Sequence, residues 1–359
     1  MPGKSVRRRQ PQLILSQDYE LFFHKSGTVE KCLIEPSAML VNHAAERDLK
    51  ITFFVDAGML LCMERYGRQF NNIRTELSKV RSNIEMLARA GHEIALHVHP
   101  HWEDTAWKDG RWCFSGSRYQ LSSFTDTEAN SIVERYATAL ASIGGEMPRS
   151  YRAGGFCIHS FSKIGATLAR LGINIDSSVV PGARLHDAEK GFDFRKAPRA
   201  EYWTFEVEPL RPETGGRYLE LPLSVVRLPL TFYWARAIER TLNNRSQEVI
   251  GDGLSKPIGR KEVLRRLAGI GRISEMSTDH SKAPLLTSRR VLRSTDRLFN
   301  IMGHPKLLSR ASLDHLDKFM LHKGIRSSET LGATADLVRT INLSAQTAPA
   351  LLGVNGSNA

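Results

Sequence analysis

The chain has 359 residues, with 50 Lys+Arg against 38 Asp+Glu, a formal net charge of +12 and 41% hydrophobic residues. That length supplies a sizeable core, and 25% charged residues with ordinary glycine and proline content exclude a disordered or collagen-like chain. No window approaches the roughly 20 apolar residues of a membrane span, and Cys32, Cys62, Cys113 and Cys157 lie too far apart for a Cys-x-x-Cys pair, so they read as free thiols of a reducing compartment.

Residues 1–11 form a basic segment with Lys4 and Arg7, Arg8 and Arg9; only Leu13, Ile14 and Leu15 follow before polar residues, short of a secretory signal, so a cytoplasmic location is expected. Strands are predicted at 12–16 and 50–55, the latter β-branched and aromatic. Ile73, Leu77, Val80, Ile84 and Leu87 recur at helical spacing, with Gly91 placed as the C-cap. A strand at 93–98 stops before Pro100, a helix spans 127–143 and ends at Gly144-Gly145, and a strand follows at 150–153. A helix at 159–171 and a strand at 173–175 complete a β-α-β-α alternation, the pattern of a parallel α/β sheet or barrel.

Beyond Pro181 the pattern changes. Residues 182–225 read as loops and antiparallel strands, and 232–297 as a basic helical insertion without a clear strand. Between 227 and 326 stand 20 Lys+Arg and 9 Asp+Glu. Such a block suits an anionic membrane or an acidic saccharide, or is the solvated face of helices; nucleic acid is not expected, because few aromatics interleave the charges. A last strand is predicted at 298–302, then a turn at Gly303-His304-Pro305 and a helix at 313–321. One domain over 12–340 with an insertion is expected, and 341–359, rich in Ser, Thr, Asn, Gly and Ala, as a disordered tail.

In parallel α/β folds the chemistry sits at the C-terminal ends of the strands. Collecting polar residues at those positions gives Asp18 and Glu20, then His97, His99 and His101, then Arg152, Asp176 and His304. Imidazoles with a carboxylate make a catalytic metal site, most often zinc. His97 and His101 stand four apart, but Pro100 intervenes and no Glu follows His97, so the helical H-E-x-x-H reading fails. Alternation along an extended segment places all three histidines toward one side, and any two of them could reach one ion.

The ordered set SQDYE (16–20), ITFFV (51–55), GHEIALHVHPHW (91–102), YRAGGF (151–156), GINIDSS (172–178) and GHP (303–305) resembles the NodB-type polysaccharide deacetylases of carbohydrate esterase family 4, and is most similar to the WalW-like branch. The resemblance covers about residues 12–325. It implies a distorted (β/α) barrel of about seven strands and metal-dependent removal of N-acetyl, in some cases O-acetyl, groups from sugars. Position by position, it implies Asp18 as general base, His97 and His101 as metal ligands, and Arg152 as the arginine that holds the base. It further places Asp176 in the motif supporting that arginine and His304 as general acid. Tyr19 stands where the family has a second Asp, so Glu20 is the expected oxygen ligand. Trp102, Phe156 and His99 are expected to contact the sugar.

An acetylated sugar, free or on a lipid- or nucleotide-linked glycan precursor, is the expected substrate, with peripheral contact to an anionic membrane through the basic block. Two alternatives stay open at this point: a non-catalytic glycan-binding protein on the same scaffold, and a metal-free amide hydrolase.

Overall fold

The computed structural model describes residues 10–159, 161–186, 191–229, 231–235, 238, 249–255 and 272–347, with side chains to residue 341. The basic segment at 1–9, much of the expected insertion and residues 348–359 lie outside the described residues.

Eight strands make one sheet: β1 (Gln12–Tyr19), β2 (Ile51–Asp56), β3 (Glu93–Val98), β4 (Ser150–Ala153), β5 (Ile175–Asp176), β6 (Trp203–Phe205), β7 (Tyr218–Glu220) and β8 (Leu298–Gly303). Their order is β6-β7-β5-β4-β3-β2-β1-β8. Seven run parallel; among them β7, in the region expected to be antiparallel, pairs parallel with β5, and β6 lies antiparallel on β7 at one edge.

The sheet's two sides close on one another through few bonds. The chain leaving β7 reaches β8, where Ser224 N donates to Asn300 O and Asn300 N to Ser224 Oγ, both at 2.9 Å. The Asn300 amide donates across the interior to Leu221 O (2.9 Å) and Ser177 Oγ (3.0 Å). A hairpin of Val225–Arg227 against Ile273–Glu275 lies beside this seam, with Leu228 N donating to Arg272 O at 2.8 Å and Met276 N to Ser224 O at 2.7 Å. The expected insertion at 232–297 is thereby corrected. Its C-terminal part contains a strand, and Met276, Leu285, Leu286 and Val291 are buried because the chain there has re-entered the core.

Period-two alternation sorts the strand residues into two cores. Leu13, Leu15, Phe53, Val55 and Leu96 face helices α1 (Glu35–Ala45), α2 (Ala57–Gly67), α3 (Asn71–Arg89) and α4 (Asp126–Gly144) in the larger one. The predicted stripe of α3 is buried as its spacing requires, and Gly91 ends the helix at φ +78°. Ile14, Phe54, Ala95, Ile175 and Leu219 face inward and form a second core with Leu331, Ala335 and Val338.

Those last three residues belong to a C-terminal helix, Leu331–Thr347, which continues past the expected start of the tail at 341. It is docked by its N-terminus. Glu93 Oε2 accepts from Gly332 N (2.8 Å) and Thr52 Oγ1 (3.0 Å), Glu93 Oε1 accepts from Ser150 Oγ (2.5 Å), and Thr52 Oγ1 accepts from Leu331 N (2.9 Å). A carboxylate at a helix N-terminus satisfies unpaired N–H groups and opposes the helix dipole. Glu93→Ala should lower the unfolding free energy by about 1–3 kcal/mol in urea melts, by removing the acceptor that these donors share.

His92 adds a pH limb to stability. Its Nδ1 accepts from Ile51 N at 3.2 Å, and burial, with the Lys50 charge, pushes its pKa down to about 4. A backbone N–H only donates, so the bond requires the neutral ring. The stabilisation is present above the unfolded value of about 6.5 and is lost as pH falls toward 4. His92→Gln, whose amide oxygen still accepts, should show a shallower fall of the urea midpoint between those two pH values than the wild type.

Candidate active site

The inward rows change character along the strands. Ile14, Ser16 and Asp18 follow one another on β1, Phe54 and Asp56 on β2, Ala95 and His97 on β3, and Ser150 and Arg152 on β4. The base is apolar and the C-terminal ends are polar, so the barrel brings the ionisable groups together at one end.

Arg152 has no exposed surface and is satisfied on every side. Nη1 donates to Asp18 Oδ1 at 2.6 Å, Nε to Ser177 O at 2.8 Å, and Nη2 to Ser16 Oγ (3.0 Å) and Ser177 Oγ (3.1 Å). The guanidinium lies over the Phe54 ring, 4.0 Å from its centre. Asp18 is thus held by one oxygen, and its Oδ2 faces His97 Nε2 (3.7 Å) and His304 Nε2 (3.9 Å).

Glu20 stands beside it. Tyr19 between them is turned the other way and fully buried, its hydroxyl donating to Asn83 Oδ1 at 3.0 Å. Glu20 Oε2 lies 2.7 Å from His99 Nε2 and 3.3 Å from His97 Nε2, and among the described residues it accepts no hydrogen bond of proper geometry. His97 Nδ1 is 2.9 Å from Arg152 O; a carbonyl only accepts, so Nδ1 carries the proton and Nε2 presents its lone pair inward. The ligand atoms of Glu20, His97 and His99 all lie within 4.8 Å of one another. Two imidazole nitrogens and an orphaned carboxylate oxygen, buried and convergent, fit a divalent ion such as zinc. The charges agree with this: burial opposes protonation of His97, but Asp18, Glu20 and Asp56 together outweigh it and raise its pKa, marking a place that favours a cation.

The imidazole that converges with His97 and Glu20 is thus His99, where His101 was expected. His97 and His99 lie on the extended path leaving β3 and share its face. His101 is carried by the helical turn Pro100–Asp104 onto Tyr119, with rings stacked at 7° and centres 5.6 Å apart. Burial pushes the His99 pKa down to about 4 and that of His101 well below its ordinary value, so both rings are neutral. The glycine after Ala153 makes room for His99: a Cβ on Gly154 would come within 2.5 Å of His99 Nδ1.

His304, at the end of β8, is the most accessible of these groups, with 20% of its side chain exposed. Asp279 receives its backbone N–H at 2.8 Å and faces Nδ1 with both carboxylate oxygens at 3.1 Å. Burial works against the imidazolium, but the charge and hydrogen bond of Asp279, with Glu20 and Asp18, prevail and raise the His304 pKa. Its Nε2 lies 3.9 Å from Asp18 Oδ2 and 3.5 Å from Glu20 Oε1 across the mouth.

Asp176 does not bond Arg152. Its Oδ1 accepts from Ser178 Oγ at 2.6 Å, and it faces Glu220, with which it shares a buried carboxyl pair whose pKa values burial raises. Within the same motif it is Ser177 that contacts Arg152, through its carbonyl and its hydroxyl. Trp102 is also corrected. It is 1% exposed, its indole donates to Asp56 Oδ2 at 2.5 Å, and it packs on Trp112 and Phe114, so no sugar reaches its face. Phe156 lies half-buried on the rim, at φ +62° and edge-on to Phe192. Sequence reasoning missed Asp279, Lys306, Glu220 and Asp56. Asp56 alone had a visible signal, as the inward residue at the end of a predicted strand; burial pushes its pKa up to about 7.

No family model matches this chain, and no curated protein does. Among solved structures, the chain is similar over 99% of both lengths to a protein of Mycobacterium smegmatis assigned as a polysaccharide deacetylase, with TM-score 0.50 and 16% identity. It is also similar to a family 4 carbohydrate esterase from Streptomyces lividans solved with acetate, at TM-score 0.40 and 12% identity over 89% of this chain and 92% of that one. A family 4 pseudoenzyme from Bacillus anthracis follows, at TM-score 0.39 and 10% identity over 89% and 64%. The first likeness shows the fold: the chain has the distorted barrel of the NodB-type polysaccharide deacetylases, as its motifs implied.

Zinc titration of the purified protein against a chromophoric chelator tests the ligand set. His97→Ala and His99→Ala should each lose the tight site, whereas His101→Ala should retain it within a few-fold; loss in His101→Ala with retention in His99→Ala would restore the original pair.

Proposed function

We propose that the chain is a divalent-metal-dependent hydrolase that removes an acetyl group, N-linked or O-linked, from a saccharide. The observation that carries this reading is the convergence, at one end of the barrel, of the Glu20–His97–His99 donor set with an arginine-held carboxylate and an aspartate-held imidazole.

Glu20, His97 and His99 would hold the ion, with zinc the ion best matched to the donors; its chemistry there is that of a Lewis acid, which polarises the acetyl carbonyl and acidifies water. Asp18 Oδ2 takes a proton from the attacking water. The Arg152 contact keeps the other oxygen occupied, so the basic lone pairs stay directed into the mouth. The C–N or C–O bond then breaks, the acetyl carbon leaves as acetate, and His304 Nε2 gives its proton to the departing nitrogen or oxygen. Asp279 fixes the ring for that transfer by holding Nδ1. An amine is a poor leaving group unprotonated, so this proton matters most for N-acetyl substrates.

The substrate on this reading is an acetylated sugar, on a polymer or on a lipid- or nucleotide-linked precursor. The exposed residues Arg289, Arg290, Arg293 and Arg297 supply positive charge that suits a phosphate-bearing carrier or an anionic membrane surface. Among the described residues no helix is long and apolar enough to cross a membrane.

One observation favours a second reading, the metal-free amide hydrolase: Glu20 Oε1 already bonds a buried lysine, Lys306, at 2.8 Å. Acetate release from acetylated amino-sugar oligomers, measured with and without added zinc after chelation, separates the two. On the first reading chelation abolishes release and zinc restores it, Asp18→Asn lowers kcat about 10²–10⁴-fold, and Asp279→Asn lowers kcat with little change in KM. Release that survives chelation undiminished would move the assignment to the second.

A further inference from the structure

Three of the carboxylates at the mouth already have a cationic partner. Asp18 pairs with Arg152 at 2.6 Å, Asp279 with His304 at 3.1 Å, and Glu20 with Lys306 at 2.8 Å. The last pair is the unexpected one, because Glu20 is the only carboxylate in the metal-binding donor set.

Lys306 is 5% exposed. Its Nζ donates to Glu20 Oε1 and, at 2.7 Å, to Leu21 O, and it lies 5.0 Å from the ring centres of both Phe22 and Phe23. A buried ammonium is costly unless paired, so this placement is specified and not a swing of a long surface side chain. The lysine comes from the turn Pro305–Leu307, which directly follows His304. The two oxygens of Glu20 are divided: Oε1 belongs to Lys306, and Oε2 faces the two imidazoles.

Resting on the metal reading above, we propose that Lys306 is a positioning residue and built-in counter-ion that sets the affinity of the Glu20–His97–His99 site for a divalent cation. It limits Glu20 to one ligand oxygen, and its charge weakens the hold of the site on a second cation nearby. In a buried setting that repulsion outweighs the benefit of fixing the carboxylate, since a Coulomb energy at a given distance grows as the dielectric falls, whereas Glu20 is also confined by its neighbours. The chain then needs no metal to neutralise Glu20, and its metal exchanges with solution.

The test compares zinc affinity, by competition with a chelator, in the wild-type protein and the variants Lys306→Gln, Lys306→Met and Lys306→Arg, with His97→Ala as the control that lacks the site. Glutamine can still donate to Oε1 but carries no charge, so it separates charge from hydrogen bonding and guards against a methionine variant that misfolds. Lys306→Gln and Lys306→Met should bind zinc at least about tenfold more tightly than wild type, and Lys306→Arg within about threefold of it. Both neutral variants should also lose thermal stability in the presence of a chelator and regain it with zinc. Lys306→Gln binding zinc no more tightly than wild type, while His97→Ala has lost it, overturns this inference and leaves the metal reading standing. Zinc binding by none of the proteins overturns both.

Discussion

A guanidinium with no access to solvent ties this barrel together at the end where the chemistry lies. Arg152 reaches from β4 to Ser16 and Asp18 on β1, to Ser177 beyond β5 and over Phe54 on β2, so one side chain spans four staves. Its backbone carbonyl fixes the tautomer of His97. The residue that holds Asp18 thus also directs the His97 ring. A lysine cannot replace it: the fork of donors, and the flat face on phenylalanine, belong to arginine alone.

Around that constraint the interior is graded. Its base is a small apolar core plugged by the C-terminal helix, whose exposed N–H groups are met by Glu93. Its mouth holds the buried pairs of Asp18 with Arg152, Asp279 with His304 and Glu20 with Lys306, beside an Asp56 met by the Trp102 indole. The gradient follows from alternation within parallel strands, where moving two residues along a strand keeps the face and changes the chemistry. The groups proposed as metal donors, base and acid therefore sit on strands or directly after them, with Glu20, His99 and His304 just beyond strand ends.

Much of this was legible in the sequence, for identifiable reasons. The strand at Ile51–Asp56 and the stripe of Ile73, Leu77, Val80, Ile84 and Leu87 show through because their apolar spacing is imposed by burial. Asp18, Glu20, His97, Arg152 and His304 were found because strand ends concentrate function. The helix Ala57–Gly67 went unseen, being buried along most of its length and so without a polar face to set its period. The choice between His99 and His101 turns on a single helical turn at Pro100, and spacing alone does not carry that information. Asp279 and Lys306 reach the site from segments distant in sequence, and Asp279 lies in a stretch whose basic composition suggested an insertion. Trp102 misled because an indole beside a histidine motif looks the same whether it meets a sugar or, as here, a buried carboxylate.

The seam between β7 and β8 has a bearing on how this architecture tolerates change. Leu228 N and Arg272 O are bonded at 2.8 Å, so the chain leaves the barrel and returns to it at adjoining points. The entropy of closing a loop grows only with the logarithm of its length. Length changes close to the hairpin are therefore cheap in loop entropy, whereas the segment around Ile250 and Asp252 is tied to Leu308 and to Thr28 and stays with the barrel. The hairpin acts as a clasp: it pins both ends of this excursion against the strand that delivers His304.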